Sequence, residues 1–376
     1  MINTLEIQNF KCFSDLRLQL GKLTLLTGYN AAGKSSAIQP LLLLAQAARF
    51  RLFTNHLTLN GPIVRLGMVG DVLPANASPS SLRFKITDDG FEWTWRATAR
   101  AGERQFEVTE ASMPNPTVET TPDSEGKTTF RNSVPQTIAG LSYLSAIRVG
   151  PEDSYPTPES FEDSFVDVGI DGRFAPYWYD QYVDSEVLEA RRNPLESATS
   201  FRKQLDAWLS TLFPNAQANV QHNPQLSLYG LQFRISEFGN WRRPANVGYG
   251  FSYAFPVLVA LLAAEEGQVV VIDSPEAHLH PSAQSQMGRL IAHFAAAGVQ
   301  IIVETHSDHL LNGLRLAVKE NVLQSDDLQL NFFSGANESG HGVLSLSVDR
   351  EGHITNWPEG FFDQSERDLA RLSGWE

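Results

Sequence analysis

Nine residues, GYNAAGKSS at 28–36, have the types and spacing to hold a chain of phosphates. They fit the pattern G-x-x-x-x-G-K-[ST], between an apolar run, KLTLLTG, and a helical one, SSAIQPLLLLAQAARF. Gly28 and Gly33 let the backbone wrap tightly so that its N–H groups face phosphate, and a helix start adds partial positive charge. Lys34 has the reach for β- and γ-phosphates, and the Ser35 hydroxyl can ligate Mg²⁺. A second stretch, VVVIDSPEAHLHP at 269–281, carries Asp273 to the end of a buried strand. In a parallel sheet that end is where phosphates bind, and a carboxylate there can hold Mg²⁺. A third, VQIIVETHS at 299–307, delivers Thr305 and His306 to the same edge, where a histidine can polarise a γ-phosphate.

Two other chemistries compete for these residues. His278, His280, His306 and His309, with Glu276 and Asp308, are ligand types for zinc. The phosphate reading already accounts for the same positions, so a dedicated zinc site is the weaker expectation. The other question is Ser274. Serine carries no group that takes a proton from water at neutral pH. Glu276 is the nearest carboxylate that can replace one at 274, and His306 can orient water; positioning often counts for more than base strength in phosphoryl transfer.

The elements that must position these residues follow from periodicity. TLEIQNFKCF and KLTLLTG predict strands, and residues 57–100 alternate like an antiparallel sheet with a hairpin at DDG. ASMPNPTVETTPDSEGKTTF at 111–130 is a polar loop, and LSYLSAIRVGP at 141–151 predicts a strand ending in a Gly-Pro turn. SATSFRKQLDAWLSTLF has helical spacing at Phe201, Leu205, Trp208, Leu209 and Leu212, and QLSLYGLQFRISEF is strand-like. From 251 onward, helix and strand alternate as in a parallel, helix-covered sheet. The expected organisation is a lobe at 1–150 with the phosphate loop, an insertion at 151–240, and a lobe at 241–376 with the remaining motifs.

Composition sets the outer limits. The chain has 376 residues, 42% of them hydrophobic and 19% charged, enough for a substantial core. Twenty-nine basic against 43 acidic residues leave a net charge of −14, which argues against a broad nucleic-acid surface. The pairs Arg191-Arg192, Arg202-Lys203 and Arg242-Arg243 are expected to be solvated faces. One cysteine, Cys12, excludes an internal disulfide and is expected in the core. The chain opens without a secretory pattern and its apolar runs are short for a bilayer, so a soluble, cytoplasmic protein without membrane contact is expected.

The three motifs together resemble the ABC-type ATPase head of the RecF, SMC and OLD kind. QNFKCF resembles the strand that opens those proteins, making Lys11 a nucleotide contact. GYNAAGKSS resembles their Walker A, with Asn30, Ala31, Ala32, Gly33, Lys34, Ser35 and Ser36 around the nucleotide. DSPEAHLHP is similar to Walker B followed by the D-loop, placing Asp273 with Ser35 at the metal and His278 and His280 in the D-loop. Thr305-His306-Ser307 looks like the switch-histidine segment. NVGYGFS at 246–252 resembles a divergent signature, as in a small bacterial subgroup of AAA-family ATPases often encoded in phage-defence islands; IRVGP and ITNWPEGFFDQ resemble that subgroup as well.

The resemblance implies an α/β, P-loop head with an antiparallel β lobe, a mostly parallel helix-covered sheet and a central insertion. It implies ATP and Mg²⁺ as cofactors, and catalysis carried by Glu276 and His306. It also implies a homodimer of heads sandwiching nucleotide, with Gly248, Gly250 and Ser252 acting in trans. Slow hydrolysis is expected, because Ser274 stands where relatives carry a glutamate. A Q-loop glutamine is not evident: Gln39 lies too early, and Asp71 is the best polar candidate in GPIVRLGMVGDVL. Without a coiled coil or nuclease segment, effector activity is expected in a separate partner, a nuclease among the options. The alternative is a non-hydrolysing, ATP-gated scaffold whose surface the middle region, 152–240, would supply, acidic at 152–171 and rich in aromatics at FAPYWYDQY, 174–182. An inserted helical subdomain with its own small core accounts for the same region equally well.

Overall fold

The protein is described from a computed structural model covering residues 1–376 apart from 53, 75–79, 89–90, 101, 113–133, 160–164, 237, 338–339 and 375–376. Most of the expected polar loop at 111–130 therefore lies outside the described residues. The chain begins with β1 (Ile2–Phe10), β2 (Phe13–Gln19), β3 (Leu23–Gly28) and α1 (Lys34–Arg49), a helix that runs through Pro40. Then come β4 (His56–Thr58), α2 (Val69–Val72), β5 (Ser81–Asp88), β6 (Phe91–Thr98) and β7 (Gln105–Ser112). Strands β2-β1-β5-β6-β7-β4 form one antiparallel sheet, the β lobe. Alternation drives it: Leu82, Phe84 and Ile86 face inward while Arg83 and Lys85 face Glu6 on the other side.

Next come α3 (Val134–Ala139), β8 (Ser142–Leu144), β9 (Tyr155–Pro156), α4 (Ala175–Tyr182), α5 (Phe201–Leu212), β10 (Gln217–Asn223) and β11 (Leu228–Arg234). The strand expected over 141–151 is only three residues long. It ends before Ile147 because the chain there turns and Ser145 and Val149 bond to the loop at 170–171 instead. The aromatic stretch takes part in a core, one shared with the C-terminal helices rather than its own. Tyr177 and Tyr179 of α4 are buried, and Tyr179 packs on Phe201 and on Phe255 of the following helix. Arg191 is also not solvated: it is buried and donates to the Ala264 carbonyl. Residues of the central segment and of the C-terminal helices thus share one apolar core.

The C-terminal region supplies α6 (Tyr249–Ala263), β12 (Val269–Asp273), α7 (Pro281–Ala296), β13 (Gln300–Glu304), α8 (Asp308–Lys319), β14 (Leu328–Asn337), β15 (Gly340–Leu346) and α9 (Gln364–Leu372). The central sheet has the order β15-β14-β3-β13-β12-β8, parallel throughout except for the β14/β15 hairpin. Its inner strands are buried on both faces, as the runs VVVI and QIIV require. No helix among the described residues is long and apolar enough to cross a membrane.

Helices α7 and α8 approach so closely that their backbones touch. A Cβ on Gly288 would overlap the Leu310 carbonyl, and one on Gly313 the Ser285 carbonyl. Alanine at 313 gains about 1 kcal/mol of helix propensity but must push the two packed helices apart, at about 3 kcal/mol. Gly313→Ala is therefore expected to lose about 2 kcal/mol net in chemical denaturation; a variant as stable as the parent would show that the helices separate freely.

A second stability effect depends on pH. Burial raises the Asp206 carboxyl from its usual range to about 6, against the opposing Ala218 N–H, which it accepts at 2.9 Å. Because the folded value lies above the unfolded one, its contribution is complete only below about pH 3.8. It is lost as pH rises through 6. An asparagine amide at this position is neutral at every pH and still accepts from Ala218. Asp206→Asn should therefore stabilise the protein by about 3 kcal/mol at pH 7.5 and by almost nothing at about pH 3, read from denaturation at the two pH values.

Candidate functional site

Strand β3 lies between β14 and β13, and its last residue, Gly28, has φ +133°. A side chain there would collide with the backbone of Phe333, so the loop can start only from glycine. Gly33, at φ +104°, begins α1; a Cβ would strike the Phe13 ring and the Cys12 Sγ. The β1–β2 turn thus presses against the phosphate loop and brings Lys11 beside it. Lys11 is half-buried at φ +53°, its N–H bonded to the Val72 carbonyl, and burial holds its ammonium below the usual range. Cys12 is only partly buried here, not a core residue. Asn30 and Ala31 are exposed at the loop's crest, Ala32 is buried beneath it, and Ser36 lies beside Cys12.

The first turn of α1 has no acidic residue and no capping side chain, which leaves its N–H groups and dipole for an anion. Lys34 is buried and folds back, donating to the carbonyls of Gly28 (3.1 Å) and Tyr29 (2.9 Å). Burial lowers its pKa, while Glu304 and Asp273 nearby oppose the shift.

The carboxylates come from two adjacent strand ends. In parallel register, Asp273 of β12 stands beside Glu304 of β13, which in turn stands beside Leu26 of β3. Glu304 is buried and accepts from the Ser35 hydroxyl at 3.1 Å. Burial, with Asp273 adding to it, raises its carboxyl to about 7. The Ser274 hydroxyl donates to Asp273 at 2.9 Å, and the Ser274 N–H donates to the Glu304 carbonyl. Sequence reasoning passed over Glu304 and took β13 as the carrier of Thr305 and His306; the available signal was a glutamate ending an otherwise apolar strand.

Glu276 has another setting. Its Oε1 accepts the His306 N–H at 3.1 Å, and its Oε2 is buried without a hydrogen-bond partner. Burial raises its pKa, and Thr305 and the His306 N–H work the other way. His306 itself is exposed, its pKa lowered by partial burial and by Lys34.

Arg148 ties this edge together. It is 4% exposed and donates from Nη2 to the Asp273 carbonyl (2.9 Å) and from Nη1 to the Ser274 carbonyl (3.1 Å). It also lies over the ring of Tyr253 on α6, and burial pushes it down to about 10. His278, at φ +62°, has its ring tilted against Tyr249 and edge-on to Tyr253, while His280 caps α7 through Ser282. Among the described residues no three His, Cys, Asp or Glu side chains gather as metal ligands.

Three expected placements change. Ser252 does not face outward: it is buried, its hydroxyl without a partner, because the second turn of α6 is packed into the core. Gly248 is the exposed cap of that helix, and Gly250 packs near the His278 carbonyl and the Phe213 ring. Asp71 spends its carboxylate on the Met68 N–H at 2.8 Å, capping α2, and so is not poised at the metal side. Gln39, set aside as too early, lines the same cleft as Ser35, Tyr143, Asp273 and Glu304, with a cavity of about 420 Å³.

The donor set suits the cofactors named from sequence. A hydroxyl and two carboxylates are hard oxygen donors of the kind Mg²⁺ takes, and a bare helix start with a glycine-walled loop fits a triphosphate. A family model described as "AAA domain, putative AbiEii toxin, Type IV TA system" matches residues 23–312. The chain belongs to this AAA family.

A second model, "Protein of unknown function (DUF3696)", matches residues 323–372. No curated protein matches the chain. Among solved structures, an SMC head bound to the C-winged helix domain of ScpA is similar at 14% identity, covering 93% of this chain and 98% of that one, with a TM-score of 0.51. An Smc head with an extended coiled coil, bound to the C-terminal domain of ScpA derived from Pyrococcus furiosus, matches at 11% identity, covering 99% of each chain, with a TM-score of 0.50. At these identities the likeness is one of fold, an ABC-type P-loop head.

In this AAA head, removing Arg148 leaves two buried carbonyls without donors and strips the positive charge facing Asp273 and Glu276. Arg148→Ala is expected to cost about 3 kcal/mol in denaturation. Arg148→Lys should recover only a fraction of it, since an ammonium lacks the planar fork that spans both carbonyls. Full recovery by lysine would mean that charge alone matters there.

Proposed function

We propose that the protein binds ATP with Mg²⁺, hydrolyses it slowly, and couples nucleotide to head-to-head dimerisation and control of a separate partner protein. The observation that carries this reading is the convergence of Lys34, Ser35, Asp273 and Glu304 on the ends of three neighbouring parallel strands. Mg²⁺, when bound, would neutralise phosphate charge. On the protein side, Lys34 would exchange its bonds to the Gly28 and Tyr29 carbonyls for phosphate oxygens. The α1 N–H groups would receive a phosphate, and Lys11, Asn30, Ala31, Ala32, Gly33 and Ser36 would shape the rest of the cradle. Ser35 and Asp273 would hold the metal. Glu276 fixes the Thr305–His306 turn, from which His306 would act on the terminal phosphate. In a head dimer, Gly248 at the exposed start of α6 is the signature residue open to the partner's nucleotide.

Support for a partner comes from two directions. The similar SMC heads are seen with ScpA, a different protein. Here the apolar side chains of Leu195 and Phe238 in the central segment are 95% and 96% exposed. A setting in phage defence or DNA maintenance follows the resemblance to the RecF, SMC and OLD kind and the family's toxin description. The net charge gives no support to direct nucleic-acid binding. A second reading, an ATP-gated scaffold that does not hydrolyse, is favoured by Ser274 and by the engagement of Glu276 with His306.

Lys34→Ala decides between no activity and some. The wild type is expected to release phosphate from ATP slowly, and the variant at least about 100-fold more slowly. Equal rates would reject hydrolysis at this site. Dimerisation with ATP but no phosphate release by the wild type would establish the scaffold.

A further inference from the structure

We propose that Glu304 supplies the second metal-side carboxylate that position 274 lacks, so that β13, rather than the residue after Asp273, completes the cation site. The proposal rests on the ATP reading above and assigns the division of labour among its acidic residues.

Three observations carry it. First, parallel register fixes Glu304 beside Asp273, so both side chains leave the sheet on the same face. Second, Glu304 already accepts from the Ser35 hydroxyl at 3.1 Å, the group expected to ligate Mg²⁺, and the three residues line one cleft. Third, the other acidic candidate does not line that cleft, and its second oxygen is buried without a hydrogen-bond partner. Glu276 Oε1 holds the His306 N–H, and the only side chain at 274 is a hydroxyl bonded to Asp273. A buried carboxylate costs stability unless something compensates it. Among the described residues the cation beside Glu304 is Lys34, whose ammonium points at loop carbonyls, while Arg148 faces Asp273 and Glu276 and is bonded to the carbonyls of 273 and 274. Three carboxylates (Asp273, Glu276 and Glu304) thus face two committed cations, and the arrangement is completed by a divalent ion at Ser35. Glu276 is then a positioning residue for the Thr305–His306 turn, and Glu304 a cation-binding one.

The test uses the intact chain and a fluorescent ATP analogue, titrated with Mg²⁺ and again with EDTA. Wild type is expected to bind more tightly with Mg²⁺. Glu304→Gln should lose at least about 10-fold of that enhancement while its affinity in EDTA is unchanged or higher. Glu276→Gln should keep the enhancement. Glu304→Asp, which retains the charge, should restore some of it, and a melting temperature at or above wild type for Glu304→Gln separates the effect from misfolding. Phosphate release by Glu304→Gln should also fall at least about 100-fold. The proposal is overturned if Glu304→Gln keeps the Mg²⁺ enhancement, or if Glu276→Gln loses as much. Failure of the analogue to bind wild type at all, or equal binding by Lys34→Ala, would instead reject the ATP reading itself.

Discussion

Everything at this site depends on the alignment of three parallel strand ends. β3, β13 and β12 are neighbours in register, so Gly28, Glu304 and Asp273 end at one edge. Hydrogen bonds beyond the strands lock the alignment, with Thr305 N–H on Leu26 and Ser274 N–H on the Glu304 carbonyl. A one-residue slip of β13 would turn Glu304 to the opposite face and replace it with an apolar side chain. Burial of both faces would tolerate exchange among Ile301, Ile302 and Val303, so it is Gln300 at the other end of β13 that opposes the slip: its buried side chain bonds the backbone of Ile2 and Gly21. A buried polar anchor at one end of the strand thus fixes where two carboxylates meet the phosphate loop at the other.

That convergence is electrostatically expensive, and the surrounding structure is arranged around it. Asp273, Glu304 and Glu276 lie at one buried edge, where unpaired charge is costly. Arg148 answers from the loop after β8, and its place over Tyr253 links the Walker B turn to α6 and the ring of His278. His278 and α6 thereby share a physical connection to Asp273. In the proposed head dimer, a partner nucleotide at Gly248 would press on the same helix whose Tyr253 supports Arg148, which would give the two sites a packed route to one another.

How much of this was legible in the sequence varied with how local the determinant is. The phosphate loop is contiguous, its glycines are required by φ and by close approach, and α1 follows directly; all of it could be read from 28–36. The parallel alternation after 251 and helix α5 came from periodicity. Glu304 escaped because its role depends on pairing with a strand 31 residues earlier, and periodicity carries no register. Strand β10 escaped because QANVQHN is largely polar, with only Ala218 buried among its seven residues. FAPYWYDQY was left open between core and surface because aromatic residues mark both alike, and only the neighbours Phe201 and Phe255 settle which one this is.

Ser274 has a positive role in this arrangement. It sits at φ +51°, and its hydroxyl reaches back to Asp273. A glutamate at that position would add a fourth carboxylate to an edge where three already face two committed cations. The carboxylate on β13 and the serine on β12 are thus physically coupled: with Glu304 in the cleft, a short neutral residue beside Asp273 is what electrostatics favours. The same logic bears on rate. Glu304 is anchored on Ser35, whereas Glu276 is outside that cleft and accepts the His306 N–H. On the proposed ATP reading, this division gives the cation a carboxylate while leaving the water side without a free base beside Asp273, which is the physical reason to expect slow turnover.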